Sequence, residues 1–148
     1  LICTHAESTY PYECCGLLLG KLDRDEKILV EAIATENVWS PTTAADFQAI
    51  DVNLSLGTDK NTYYAIAPET MLKVQKEARD RQLDIIGIYH SHPNHPAIPS
   101  EFDRACAWHA YSYIIVSVPQ GKAGEVLSWS LDDNHQLQAE KIVVDKLI

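Results

Sequence analysis

Midway along the chain an apolar run, Ile85-Ile86-Gly87-Ile88-Tyr89, leads directly into His90-Ser91-His92-Pro93. The run reads as a buried strand. Side chains two apart on a strand point to the same face. His90 and His92 can therefore converge on one point at the strand's end, while Ser91 points away. A short loop later stands Ser100-Glu101-Phe102-Asp103. Asp103 could supply a third ligand once the chain turns back. Two imidazoles and one carboxylate, with a fourth position left to water, form the donor set of a catalytic zinc site.

Plainer readings compete with that one. A lone histidine is more often structural or solvated than a ligand, although two at i and i+2 beside a proline-rich loop improve the odds. Ser100-x-x-Asp103 also matches a capping box at a helix N-terminus, with Ser100 as the cap. Taken alone, the cap is the stronger reading. The two also conflict, because a carboxylate spent on a cap cannot fully serve a metal. His95 lies beyond the strand's end and reads as solvent-facing. His5, His109 and His135 have no partners at ligand spacing and read as structural or surface residues.

The remaining pattern alternates. Residues 4–10 read as a short helix stopped by Pro11, 16–20 as a buried strand, and 28–38 as a longer strand. Pro68 opens a helix whose Met71, Leu72, Val74 and Ala78 recur at helical spacing as far as residue 82. A helix is expected over 101–109 and strands over 113–118, 127–131 and 136–144. Residues 40–61 are the least regular and read as loop, with a strand around 46–52. At 148 residues the chain is expected to be a single domain, 1–148, of α/β class with a mixed sheet and a few helices.

The net charge of −9 disfavours nucleic acid as a partner, since phosphate binding draws on clustered Lys and Arg. No apolar run approaches the ~18 residues of a membrane span. No basic start with an apolar h-region is visible, so no signal peptide is expected. Cys3, Cys14, Cys15 and Cys106 form neither a C-x-x-C pair nor a disulfide framework. All four are expected to be reduced, which suits a cytoplasmic location.

Together these motifs resemble the JAMM (MPN-domain, Mov34/JAB-type) zinc metalloprotease family, and in particular its small bacterial sulfur-carrier-processing members. The family pattern is His-x-His-Pro, six residues, then Ser-x-x-Asp. It stands complete here from His90 to Asp103. A second family stretch, Glu-x-Cys-Gly followed by apolar residues and Gly, matches Glu13-Cys14-Cys15-Gly16-Leu17-Leu18-Leu19-Gly20. Gly87-Ile88-Tyr89 and Ile114-Ile115-Val116-Ser117 match as well, so the resemblance covers most of the chain.

The resemblance implies a cytidine-deaminase-like α/β fold with a mixed, curved sheet. It implies one Zn²⁺ per chain, held by His90, His92 and Asp103. Glu13 becomes the general base that later hands its proton to the leaving amine, and Ser100 an oxyanion-hole donor. Glu13 enters only through this resemblance, because a lone Glu is ordinarily a surface residue. The implied substrate is an amide or isopeptide bond after the C-terminal glycine of a ubiquitin-like sulfur-carrier protein with a Gly-Gly tail. In a cysteine-synthesis setting the product is cysteine. Alternatives are a metal-binding partner-recognition module without hydrolysis, a deubiquitinase-like isopeptidase, and a nuclease role that the acidic charge opposes. The stretch around 40–62 is longer than in short relatives. It is either a loop that holds the substrate tail by adding a strand to it or an inserted surface loop. The oligomeric state, the carrier and the metal actually bound stay open.

Overall fold

A computed structural model describes residues 1–50, 56, 57 and 59–144. Six strands form one sheet in the order β2-β1-β3-β4-β5-β6. They are β1 (Cys15–Asp23), β2 (Glu26–Thr35), β3 (Asp84–Pro93), β4 (Ser112–Val118), β5 (Val126–Leu131) and β6 (Leu137–Glu140). Neighbours run antiparallel except β3 and β4, which are parallel. The helices are α1 (Ile2–Thr9), α2 (Pro41–Ile50), α3 (Pro68–Asp80) and α4 (Glu101–Ala105). A parallel pair needs a crossover, and the loop carrying α4 lies in that crossover.

β1 and β3 are interior strands, and side chains on the α1 side and the α3 side cover their two faces. Alternation along β1 sends Leu18 into a core with Ala6, Ile86, Tyr89 and Val116, on the α1 side. Leu17 and Leu19 enter the opposite core, with Val74, Ala78 and Leu83 on the α3 side. This two-sided burial explains the unbroken apolar run in β1. α3 begins as its sequence suggests, with Pro68 in the first turn and Glu69 beside the positive end of the dipole.

Gly16 shows why the motif needs glycine. It pairs with Tyr89 across β1 and β3. A Cβ there would meet the Tyr89 ring at 2.2 Å and the Ile33 carbonyl at 2.4 Å. The ring lies across the bare glycine, and its hydroxyl meets His5 Nδ1 at 2.8 Å. Gly16→Ala is expected to destabilise the fold by about 1–3 kcal/mol, the usual cost of overpacking; urea unfolding at constant m-value checks it.

The cysteines are all free. Cys14 and Cys15 are buried, and burial first of all pushes their thiols up to about 11 and about 12. Iodoacetamide at mildly alkaline pH should therefore label Cys3 and Cys106, which are exposed, in the native protein. Cys14 and Cys15 should react only in denaturant, because the thiolate is the reactive form. Peptide mass spectrometry reads the difference.

β2 ends at Thr35, short of residue 38, and three further elements differ from expectation. The stretch read as loop with a strand around 46–52 contains α2, as far as the described residues go; residues 51 and 52 lie outside them. Ser40 Oγ accepts the Thr43 N–H at 3.2 Å, and Pro41 follows as the first helical residue, a start signal hidden among Thr and Asp. Ala44 and Phe47 then pack against Trp39. α4 ends at Ala105 rather than near His109, because the Trp108 N–H turns to the Tyr113 hydroxyl at 2.7 Å. β6 stops at Glu140, where its pairing with Ser128 of β5 ends, and not at 144.

Candidate metal centre

His90 and His92 share one face of β3, and Asp103 reaches them from α4. The two Nε2 atoms are 3.1 Å apart. Asp103 Oδ1 is 3.3 Å from His90 Nε2, and Oδ2 is 3.2 Å from His92 Nε2. With metal–ligand bonds of about 2.0–2.1 Å, two donors at a tetrahedral angle lie about 3.3 Å apart. The triangle therefore has the span a zinc-sized ion requires. His92 Nδ1 sits 2.8 Å from the Pro96 carbonyl, which can only accept. Nδ1 thus carries the hydrogen, and whenever the ring is neutral its Nε2 aims a bare lone pair at Asp103. Lone pairs and a carboxylate facing one point repel unless a proton or a cation lies between them.

The titration behaviour follows from this crowding. Burial opposes charge on His92, yet the Asp103 hydrogen bond and charge, with the Pro96 carbonyl, raise its pKa overall. Burial likewise pushes Asp103 upward, but His90 and His92 together hold its carboxyl well below the usual range.

In the folded chain Asp103 caps the helix and faces both histidines at once. Ser100 Oγ accepts the Asp103 N–H at 3.1 Å, and Asp103 Oδ2 accepts the Ser100 N–H at 2.9 Å, a complete capping box. A carboxylate has about four lone-pair sites. One serves the cap while both oxygens still face the histidines, so the cap fixes the carboxylate's rotamer for the site. Ser100 is exposed, and its Oγ accepts the capping bond, so its own hydrogen stays available for donation.

Glu13 precedes β1 and is buried, 4% exposed. One of its carboxylate oxygens and a ring nitrogen of each of His90 and His92 lie within 4.8 Å of one another. Among the described residues its carboxylate makes no hydrogen bond. Burial, then the charges of Asp103 and Asp59, push its pKa well above the ordinary value. That grouping makes Glu13 a rival to Asp103 as third donor. The shorter separations belong to Asp103; Glu13 stands back from the triangle.

The Glu13 backbone is held firmly. Its N–H donates to the Lys60 carbonyl at 2.7 Å, and its carbonyl accepts from Asn37 Nδ2 at 3.0 Å. Next to it, the Cys14 N–H donates to Ser91 Oγ at 2.8 Å. Ser91 thus points away from the histidines and ties β3 to the Glu13 segment. Asn37 also donates to the Tyr63 carbonyl at 3.0 Å and accepts from the Trp39 and Ala65 N–H groups at 3.0 and 3.2 Å. One Asn, inside the stretch read as the strand 28–38 and just beyond the Thr35 end of β2, carries no such signal in sequence.

The flank of the site is aromatic. Trp39 stacks on Tyr63 at 5.0 Å, and both meet Phe102, the residue before Asp103, edge to face. Tyr64 lies over His90 with ring centroids 4.5 Å apart and planes at 22°. A cavity of about 380 Å³ opens beside them, lined by Val38, Phe47, Tyr64, Met71, Phe102 and Tyr113 among others. His5, His109 and His135 lie outside the triangle; His109 and His135 meet each other at 6.5 Å. His95 is exposed.

A family model described as prokaryotic homologs of the JAB domain matches residues 1–132. The chain belongs to that family. It is accordingly a JAMM-type hydrolase. Its curated relatives include two archaeal proteins named desampylase. The one from Pyrococcus furiosus is 26% identical over 93% of this chain and 80% of its own length. The one from Haloferax volcanii is 29% identical over 86% and 76%. The JAB-family fold recurs in a solution structure from Desulfitobacterium hafniense, with TM-score 0.74, 23% identity, and coverage of 99% of this chain and 88% of that one. A solution structure from Salinibacter ruber has TM-score 0.66 and 27% identity, covering 96% and 84%. No helix among the described residues is long and apolar enough to cross a membrane.

Proposed function

We propose that this JAB-family protein is a zinc metallopeptidase that hydrolyses the amide or isopeptide bond after the C-terminal glycine of a ubiquitin-like sulfur-carrier protein. The observation that carries the reading is the triangle of His90, His92 and Asp103, with the buried Glu13 carboxylate standing behind it. His90, His92 and Asp103 would hold one zinc ion. When bound, zinc polarises the scissile carbonyl and brings the pKa of water down toward ~7. Glu13 takes the proton of the attacking water and delivers it to the leaving amine; burial, which raises its pKa, makes its carboxylate a stronger base than an exposed one. Ser100 donates its free hydroxyl hydrogen to the carbonyl oxygen as charge builds there. The two relatives named desampylase support a ubiquitin-like partner. The free thiols suit a reducing, cytoplasmic setting.

The same names favour a second reading, in which the bond cut is an isopeptide to a lysine of another protein and not a terminal extension. α2 sets Phe47 against Trp39 and Phe102 on the flank of the site. Two substrates separate the readings: a sulfur carrier ending in Gly-Gly-Cys, and a ubiquitin-like protein joined to lysine. Each is incubated with the zinc-loaded protein, with chelator, and with Glu13→Gln, and followed by mass spectrometry. Metal-dependent release of cysteine supports the first reading, and release of the lysine-bearing partner the second. If a protein shown to carry stoichiometric zinc leaves both intact, the site only recognises its partner.

A further inference from the structure

The two histidines of the site are oriented by different means. His92 is fixed through its far nitrogen, which donates to the Pro96 carbonyl at 2.8 Å. Metal-bound histidines commonly depend on such a bond for ring orientation and tautomer. His90 lacks it: its Nδ1 is buried and meets no hydrogen-bond partner among the described residues. What lies against His90 is the face of Tyr64, at 4.5 Å and nearly parallel. We propose that Tyr64 is the positioning residue for His90, setting by stacking the ring plane that a hydrogen bond sets for His92. The inference rests on His90 acting as a metal ligand.

The geometry gives the stack leverage. Nε2 lies off the Cβ–Cγ axis, so rotation about that bond swings its lone pair away from the point shared with His92 and Asp103. A flat ring pressed on the imidazole opposes that rotation. Tyr64 itself has little freedom, because Asn37 clamps the backbone on both sides of it, through the Tyr63 carbonyl and the Ala65 N–H. The Val38 N–H adds a bond to the Ala65 carbonyl at 3.0 Å. The same Asn37 carboxamide holds the Glu13 carbonyl. One buried side chain thereby ties the stacking residue to the segment that carries the base.

The test compares Tyr64→Leu and Tyr64→Phe in the full chain. Zinc affinity is measured by competition with a chromophoric chelator, and ligand geometry by the visible spectrum of the cobalt-substituted protein. Tyr64→Leu should weaken zinc by about 10–100-fold, as losing an orienting contact does elsewhere, and should shift the cobalt bands. Tyr64→Phe keeps the ring and should stay close to the parent in both. Should Tyr64→Leu fail to fold, Tyr64→Met fills the space without a flat ring and serves in its place. Parent-like zinc affinity and cobalt bands in the leucine or methionine variant overturn the proposal, as does a phenylalanine variant as weak as leucine. His90→Ala is the control for the site itself. If it binds zinc as the parent does, His90 is not a ligand, and the stacking proposal fails with that assignment.

Discussion

Glu13→Gln should lower turnover by about 10²–10⁴-fold, the range that a positioned general base contributes, while zinc stays bound. Glutamine has nearly the volume of glutamate, and the backbone bonds of Glu13 to Lys60 and Asn37 do not involve the side chain. The fold should therefore hold. The carboxylate stands within 4.8 Å of the histidine nitrogens, whereas Asp103 approaches them to 3.2 and 3.3 Å. A base set back from the metal loses catalysis without losing metal. A ligand loses both. Zinc content measured beside kcat on the same sample thus decides the role: inactive protein that still carries one zinc fits the base, and inactive protein without zinc makes Glu13 a ligand.

Asp103→Ala removes three things together. It deletes a donor from the triangle, the acceptor for the Ser100 N–H, and the negative partner of two buried imidazoles. Two neutral histidines alone hold zinc poorly, so the thermal stabilisation that zinc confers by binding only the native state should vanish. In chelator the variant should also be less stable by about 1–3 kcal/mol, because the Ser100 N–H loses its acceptor. Ser100→Ala provides the contrast. It loses the hydroxyl end of the capping box, worth about 1 kcal/mol, yet should keep the zinc-dependent rise in melting temperature. Its turnover should fall by up to about 10²–10³-fold, as on loss of an oxyanion-hole donor. Melting curves with and without zinc, with rates on the same samples, separate the two residues. Equal zinc responses in parent and Asp103→Ala would remove Asp103 from the ligand set.

Much of the frame was legible because its signals are local. The apolar runs at β1, β3 and β4 are buried from both sides, so hydrophobicity alone marked them. α3 declared itself through Pro68 and helical spacing. α2 was missed because its start signal is one serine and one proline within a polar stretch, and because its apolar contacts, Ala44 and Phe47 on Trp39, are tertiary. α4 was drawn too long because the acceptor that ends it, the Tyr113 hydroxyl, belongs to the next strand.

At the site, the period of two along β3 and the spacing to Ser100-x-x-Asp103 already named the histidines and the aspartate, because strand geometry dictates which side chains share a face. Glu13 came from family pattern and not from any property of a lone glutamate. Whether Asp103 caps a helix or faces the histidines could not be read from spacing, since both uses begin with the same four residues; the folded carboxylate does both because it has two oxygens. The contacts of Asn37 and Tyr64 belong wholly to the tertiary structure. Asn37 bonds to Glu13 across 24 positions and to Tyr63 across 26, and Tyr64 reaches a strand that begins only at Asp84. Local sequence determines element type and which faces are apolar, because those follow from backbone periodicity. It does not determine which distant polar atom or ring completes a site, because that depends on how the elements close on one another.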